Sequence, residues 1–235
     1  MIKTDYLKNY NNKISTGSTV FDKLLDGGFE KGIITTIYGA SATGKTTIAM
    51  LTSIENAKKN LKTFFIDTEK GFSIERFKQL TNSDNYLLSK ILLLNPHNFF
   101  EQMKNIEKIK KIINDKIKLV IIDTISMFYR FEISSNNEIK KINNLLGIQI
   151  AWLSEIAKEQ NIPIIITNQV YSDFKIKDNV KMVGGDLLKY ASKCLIELKE
   201  VNEYKKATIK KHRSLPENKE IKFKIENFGF TQIKD

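Results

Sequence analysis

Apolar and polar positions along this chain come in blocks. Short β-branched runs alternate with longer stretches in which apolar residues recur every three or four positions. Ile33–Tyr38 is the first apolar run and stops at Gly39, and Thr46–Ala57 then reads as a helix. Thr63–Ile66 predicts a strand, Ser73–Leu80 a short helix and Ile91–Leu94 another strand. In 99–114 the apolar positions Phe99, Met103, Ile106, Ile109 and Ile113 keep helical spacing. Leu119–Ile122 predicts the next strand, Asn137–Glu159 a long helix ending near Pro163, and Ile164–Thr167 a further strand. Strands apolar on both faces, alternating with helices, predict an α/β fold with a mainly parallel central sheet covered on both sides. After residue 193 the pattern changes. Cys194–Leu198, Ala207–Lys210 and Ile221–Ile225 read as hairpin-linked strands, so a C-terminal antiparallel extension is expected. No linker, repeat or low-complexity block divides the chain, which reads as a polar lead-in over 1–13 and a single domain over 14–235.

The sheet class directs attention to strand ends, because ligands of parallel sheets sit beyond the carboxyl ends of the strands. Gly39-Ala40-Ser41-Ala42-Thr43-Gly44-Lys45-Thr46, followed by Thr47, has the spacing G-x-x-x-x-G-K-[ST] between a strand and a helix. Such a loop points successive backbone N–H groups inward as an anion nest, and the helix N-terminus adds partial positive charge. Lys45 would reach the outer phosphates of ATP, and the Thr46 hydroxyl would ligate Mg²⁺. Asp123, at the end of Leu119–Ile122, supplies the carboxylate for the same Mg²⁺. Two further strand ends carry polar groups. Asp67 and Glu69 follow Thr63–Ile66, and Glu69 is placed to polarise an attacking water. Read alone, a loop glutamate is more often a solvated side chain. Asn168 and Gln169 follow Ile164–Thr167, where an amide could register the γ-phosphate for the polar 170–185 segment; an ordinary loop fits those residues equally.

Composition adds bounds. The 235 residues include 41% hydrophobic and 28% charged residues, as is normal for a soluble globular protein, and no apolar run is long enough to span a membrane. The polar start and single cysteine fit a cytoplasmic protein without a disulfide framework. The net charge of +11 suits a polyanion such as DNA or an acidic protein surface, although a lysine-rich compositional habit would also produce it. His97 and His212 have no ligand cluster around them, Trp152 and Phe99-Phe100 read as packing residues, and Cys194 reads as a small buried hydrophobe.

The segments ISTGSTVFDKLLDGGFEKGIITTIYG, GASATGKT, FFIDTEKGFSIERF, LVIIDTISMFYRFE, PIIITNQV, VGGDLLKYAS and KKHRSLPE run in one order from about residue 14 to the C-terminus. Together they resemble the RecA-like recombinase superfamily, most closely the archaeal RadB proteins, short paralogues of RadA. The resemblance implies a RecA-like P-loop NTPase core. Lys45 and Thr46 take its phosphate and Mg²⁺ contacts, Asp123 its second metal-site acid, and Glu69 its catalytic glutamate, which reverses the reading of Glu69 taken alone. Gln169 takes the γ-phosphate sensor that couples to the second DNA loop, here about 170–185, which brings Lys175, Lys177 and Lys181 to DNA. The first DNA loop follows SMFYRFE, with Arg130 similar to an arginine there. Lys211 and Arg213 are similar to cations offered to a neighbouring subunit's nucleotide, which would need a homodimer or higher oligomer; a solvated basic hairpin is the plainer alternative.

Only a dozen or so residues precede ISTGS, and the phenylalanine-to-alanine linker motif of filament-forming relatives is not found. The resemblance to RadB proteins implies an ATP- and DNA-binding mediator of recombination and repair with weak ATPase activity, working beside a RadA-type recombinase or a branched-DNA nuclease, and the missing parts agree with that role. A nucleotide-switched interaction module and a clock-type signalling ATPase without DNA binding use the same nucleotide residues and stay open.

Overall fold

The computed structural model describes residues 12–135, 138–172 and 180–234. Its elements in chain order are β1 (Lys13–Ile14), α1 (Thr19–Leu24), β2 (Phe29–Glu30), β3 (Ile34–Gly39), α2 (Lys45–Lys58), β4 (Lys62–Asp67), α3 (Ile74–Thr81), α4 (Asn85–Leu88), β5 (Ile91–Leu94), α5 (Phe99–Ile112), β6 (Ile117–Asp123), α6 (Ser126–Ser135), α7 (Ile139–Gln160), β7 (Ile164–Asn168), β8 (Val170–Ser172), β9 (Val180–Met182), α8 (Gly185–Ala191), β10 (Cys194–Val201), β11 (Tyr204–Lys211), β12 (Glu220–Glu226) and β13 (Gly229–Gln232).

The main sheet has the order β13-β12-β11-β10-β3-β7-β6-β4-β5. Its six strands from β10 to β5 are parallel. Every residue of β3 is buried, as a strand covered by helices on both faces requires. β11, β12 and β13 extend the sheet as antiparallel hairpins. The extension therefore starts one strand later than the sequence suggested. Cys194–Val201 pairs in parallel with β3, because α8 returns the chain to the amino end of the sheet before β10 begins. Periodicity could not show this, since a buried strand looks the same beside either kind of neighbour.

Two hydrophobic clusters hold the layers. One packs α1, α2 and α3 against one face together with β12 and β13, and includes edge-to-face contacts among Phe21, Phe223 and Phe230. The other packs α5, α6, α7 and α8 against the opposite face. Phe99 is buried in the second cluster and Phe100 is exposed. Trp152 packs against the same cluster from a half-buried position. Cys194 is buried, and burial pushes its thiol up to about 12. His212 accepts the N–H groups of Ser214 and Leu215 at its Nδ1, so it serves the turn after β11. Among the described residues no helix is long and apolar enough to cross a membrane, and no group of three or more histidine, cysteine or acidic side chains is placed to hold a metal ion.

Gly147 lies in the middle of α7, and a methyl group there would meet nothing within 4 Å. Glycine in a helix interior loses more backbone freedom on folding than alanine does. Gly147→Ala is expected to stabilise the fold by about 0.5–1 kcal/mol. Urea denaturation should show a higher midpoint at an unchanged slope; an unchanged or lower midpoint would contradict the open space seen at this position.

Candidate active site

β3 delivers the chain to Gly39, and α2 starts at Lys45. Between them Ala40, Ser41 and Ala42 are exposed, while Thr43, Gly44 and Lys45 are buried. Thr43 closes the loop by donating its hydroxyl to the Ala40 carbonyl at 2.9 Å. Gly44 has φ +104°, and a Cβ on it would lie 3.0 Å from the Phe230 ring and 3.2 Å from Ile225. Glycine is thus required twice over, for backbone conformation and for the close approach of the β12–β13 hairpin. Lys45 folds back and donates to the carbonyls of Gly39 at 2.9 Å and Ala40 at 2.6 Å. Burial lowers its ammonium pKa, and the carboxylates of Asp123 and Glu69 act in the other direction. A buried cation with only neutral carbonyls as close partners favours an incoming anion.

Asp123 sits level with Asp67 at the ends of the paired strands β6 and β4. Their surroundings separate their tasks. Asp67 accepts the backbone N–H groups of Gly71 and Phe72, at 3.0 and 2.9 Å, and so shapes the turn that carries Glu69. Asp123 accepts the hydroxyl of Thr46 at 2.7 Å on one oxygen and that of Thr167 on the other. Burial raises its carboxyl pKa; the two hydroxyls lower it, and the charges of Asp67 and Glu69 raise it further. A desolvated carboxylate beside a hydroxyl is a donor pair suited to a hard divalent cation. The residues therefore fit Mg²⁺ held by Thr46 and Asp123, with phosphate oxygens and water completing the shell.

Glu69 is drawn to the same cleft. Its Oε1 accepts the Thr124 hydroxyl at 2.9 Å and the Gln169 amide at 2.6 Å. Arg130 donates to the Gln169 carbonyl oxygen at 3.4 Å, so Thr124, Glu69, Gln169 and Arg130 form one chain of contacts. Asn168 takes no part. It is buried and donates to the Val183 carbonyl at 2.8 Å, tying together the two ends of the segment after β7. The cleft is lined by the phosphate loop, Thr46, Thr47, Glu69, Asp123, Thr124, Gln169 and Ile225.

Comparison with known proteins decides the family. Residues 9–233 match the family described as Rad51. The chain belongs to the Rad51 family. It is 38% identical over 227 residues to the DNA repair and recombination protein RadB of Methanobrevibacter smithii, covering 93% of this chain and 95% of that one. It is 41% identical over 222 residues to the RadB of Methanosphaera stadtmanae, covering 92% and 94% of the two chains. A solved structure described as the RadB recombinase superposes with a TM-score of 0.80 at 32% identity, covering 94% of this chain and all of that one. The parallel sheet with its antiparallel extension is thus the RecA-like fold of the Rad51 family.

Several expected Rad51-family positions sit differently from the sequence reading. Arg130 is on α6, because the helix continues through SMFYRFE to Ser135 instead of opening into a loop. The stretch after Gln169 is not all loop, since Val170–Ser172 pairs with Val180–Met182 as a small antiparallel ribbon. Lys175 and Lys177 lie outside the described residues, as does the side chain of Lys181. Lys211 and Arg213 do not join this chain's own cleft. β11 runs back toward the amino ends of the parallel strands, so Lys211 pairs with Leu195 while the cleft lies beyond Leu198 and Gly39. Lys211 donates to the Lys189 carbonyl at 2.8 Å, and burial together with Lys193 and Lys189 lowers its ammonium pKa. Arg213 is paired with Glu30 at 2.9 Å.

Thr124 and Ile225 line the cleft and Thr167 holds Asp123 from beneath it, and all three were missed in the sequence. Thr167 is the residue before the Asn168-Gln169 pair, so a hydroxyl at a strand end was the available signal. Nothing local marks Thr124 or Ile225. Arg76 lies on α3. It donates to the carbonyls of Glu226 and Asn227, at 2.8 and 3.1 Å, and so fastens α3 to the hairpin that carries Ile225.

Proposed function

We propose that this protein is a Mg²⁺-dependent ATPase that binds DNA and serves recombination and repair as an accessory, mediator-type factor with weak hydrolytic activity. The observation that carries this reading is the 2.6 Å hydrogen bond between Gln169 and Glu69. It joins the residue placed to activate water to the root of the segment expected to meet DNA. The phosphate loop would cradle the triphosphate, Lys45 would turn from its loop carbonyls to the outer phosphates, and Thr46 with Asp123 would hold Mg²⁺. Bound Mg²⁺ would neutralise charge on the phosphate oxygens. Glu69 would take the proton of the attacking water. Gln169 would exchange its bond to Glu69 for one to the γ-phosphate and so report nucleotide state to the chain after β7. Lys211 and Arg213, at the opposite end of the sheet, would serve a neighbouring copy's nucleotide, so a lone chain would turn over slowly. DNA would be held mainly through phosphate contacts by the basic surface. A RadA-type recombinase or a branched-DNA nuclease fits as protein partner of such a factor in the cytoplasm.

Single-stranded DNA binding, followed by fluorescence anisotropy across a salt series, tests this reading. The arms are no nucleotide, ADP–Mg²⁺ and a non-hydrolysable ATP analogue, each with wild type and Lys45→Ala. Affinity is expected to change with nucleotide in wild type and to ignore it in Lys45→Ala. DNA binding that is indifferent to nucleotide in wild type would end the coupling through Gln169. Absence of DNA binding even at low salt would leave a nucleotide-switched module that works through protein contacts.

A further inference from the structure

The buried stripes of α5 and α7 are apolar except at one position each. Gln102 stands three residues after Phe99 and four before Ile106, and Gln149 stands in the same way between Leu146 and Leu153. That spacing puts each glutamine on the inward face of its helix, and both are 0% exposed. The Gln102 amide nitrogen uses both its hydrogens, donating to Gln149 Oε1 at 2.8 Å and to the Ile125 carbonyl at 3.3 Å. The pairing is incomplete. Among the described residues, Gln102 Oε1, Gln149 Nε2 and the hydroxyl of Ser126 are buried without a hydrogen-bond partner. Unpaired buried polar atoms are uncommon and costly, so two apolar side chains of similar length would serve the fold at least as well.

The pair holds the chain between Asp123 and α6. Thr68 grips Thr124, accepting its N–H at 2.9 Å and donating a hydroxyl to its carbonyl at 2.7 Å. Gln102 grips the carbonyl of the next residue from the opposite side of the turn. From that turn Thr124 donates its hydroxyl to Glu69 at 2.9 Å. We propose that Gln102, braced by Gln149, is a positioning residue for ATP hydrolysis. It fixes the Ile125 carbonyl and so the direction in which Thr124 presents its hydroxyl to Glu69. Neither glutamine lines the nucleotide cleft, and the effect passes through Thr124. The proposal rests on the ATPase reading above and deepens it, by tying the group that activates water to the two helices behind the sheet. Loosening the turn leaves the phosphate loop and the Thr46–Asp123 pair in place, so the chemical step suffers while nucleotide binding does not. A small misplacement of this kind far from the reacting atoms can cost about 10²-fold in rate.

The test measures single-turnover ATP hydrolysis, equilibrium nucleotide binding and thermal melting on the full chain, with Lys45→Ala as the blank for hydrolysis at this site. Gln102→Met is expected to slow hydrolysis about 10–100-fold with nucleotide affinity within a few-fold of wild type. The double variant Gln102→Met with Gln149→Met removes the polar atoms of both side chains together. It should melt at or above the wild-type temperature and still hydrolyse as slowly as Gln102→Met. It also carries the comparison if Gln102→Met alone folds poorly. Thr124→Val should be slow as well, and adding Gln102→Met to it should cost nothing further, because both act on one contact. A double variant that regains the wild-type rate along with its stability would reduce the pair to a packing role. Losses that multiply in the Thr124→Val background would sink the route through Thr124. Wild-type speed in Gln102→Met would overturn the positioning role and leave the ATPase reading standing. Wild-type turnover no greater than that of Lys45→Ala would end the ATPase reading and the positioning role with it.

Discussion

Glu69→Gln is expected to lower ATP turnover by about 10²–10⁴-fold while leaving ATP affinity within a few-fold of wild type. The substitution isolates basicity from geometry. In the present arrangement a single oxygen of Glu69 accepts both the Thr124 hydroxyl and the Gln169 amide. A glutamine carbonyl oxygen can accept the same two hydrogen bonds, so the side chain keeps its place and loses only its capacity to take a proton. The phosphate loop, Lys45 and the Thr46–Asp123 pair do not depend on that capacity. Single-turnover hydrolysis, measured beside equilibrium nucleotide binding on the same preparation, separates the two quantities. Turnover within tenfold of wild type would show that another group activates the water. A parallel collapse of affinity would show that Glu69 supports the phosphates instead.

Asp123→Asn is expected to have opposite effects on stability and activity. The carboxyl group of Asp123 is buried, and its pKa is raised chiefly by that burial, with Asp67 and Glu69 adding repulsion. Its ionised form is therefore disfavoured in the folded state relative to the unfolded chain. The sign follows from linkage. Below the unfolded value, near 3.8, the group is protonated in both states and contributes nothing. As pH rises from there toward the raised folded value, ionisation increasingly favours the unfolded chain, and above the folded value the penalty is constant. Asparagine removes the charge and can still pair with the rotatable hydroxyls of Thr46 and Thr167. The ligand-free variant should thus be more stable than wild type at neutral pH by on the order of 1 kcal/mol, or about 2–4 °C for a chain of this size. The gain should shrink as pH falls toward the unfolded value. Mg²⁺-dependent hydrolysis should be lost, because the cation's one protein carboxylate is gone. Melting curves between pH 4 and 8 with and without Mg²⁺–ATP would decide this. A variant less stable than wild type at neutral pH would mean that the two threonine hydroxyls already compensate the charge in full. The stability held back at this position is the kind given up at functional sites.

The residues of the phosphate loop were legible because their chemistry is local. A nest of N–H groups needs contiguous backbone, and a glycine at 44 followed by Lys45 and Thr46 can be recognised without knowing what surrounds it. Asp123 was legible for a related reason, since a carboxylate directly after four apolar residues marks a strand end wherever that strand lies in the sheet. Glu69 and Gln169 were visible only as polar groups after other strands. Their meaning came from resemblance, and the hydrogen bond between them spans 100 residues of sequence.

Contacts of that kind depend on strand order, which hydrophobic periodicity does not contain. The alternation of apolar and polar positions tells which faces of an element are buried, and it implied an α/β fold with helices on both sides of a parallel sheet. It could not place β7 between β3 and β6, and that neighbour relation is what brings the Thr167 hydroxyl to Asp123. It could not separate β10, parallel to β3, from the hairpin strands that follow, because all of them present similar apolar runs. It left SMFYRFE as the entrance to a loop, whereas packing of α6 against α5 and α7 makes it helix and turns Arg130 toward Gln169. It showed a basic KKHR segment but not its location at the end of the sheet away from the cleft, which follows from the antiparallel course of β11. Local backbone chemistry and the period of burial are written along the chain; adjacency across it arises when the elements settle into layers, and there the Thr167–Asp123, Thr124–Glu69 and Gln169–Glu69 contacts are made.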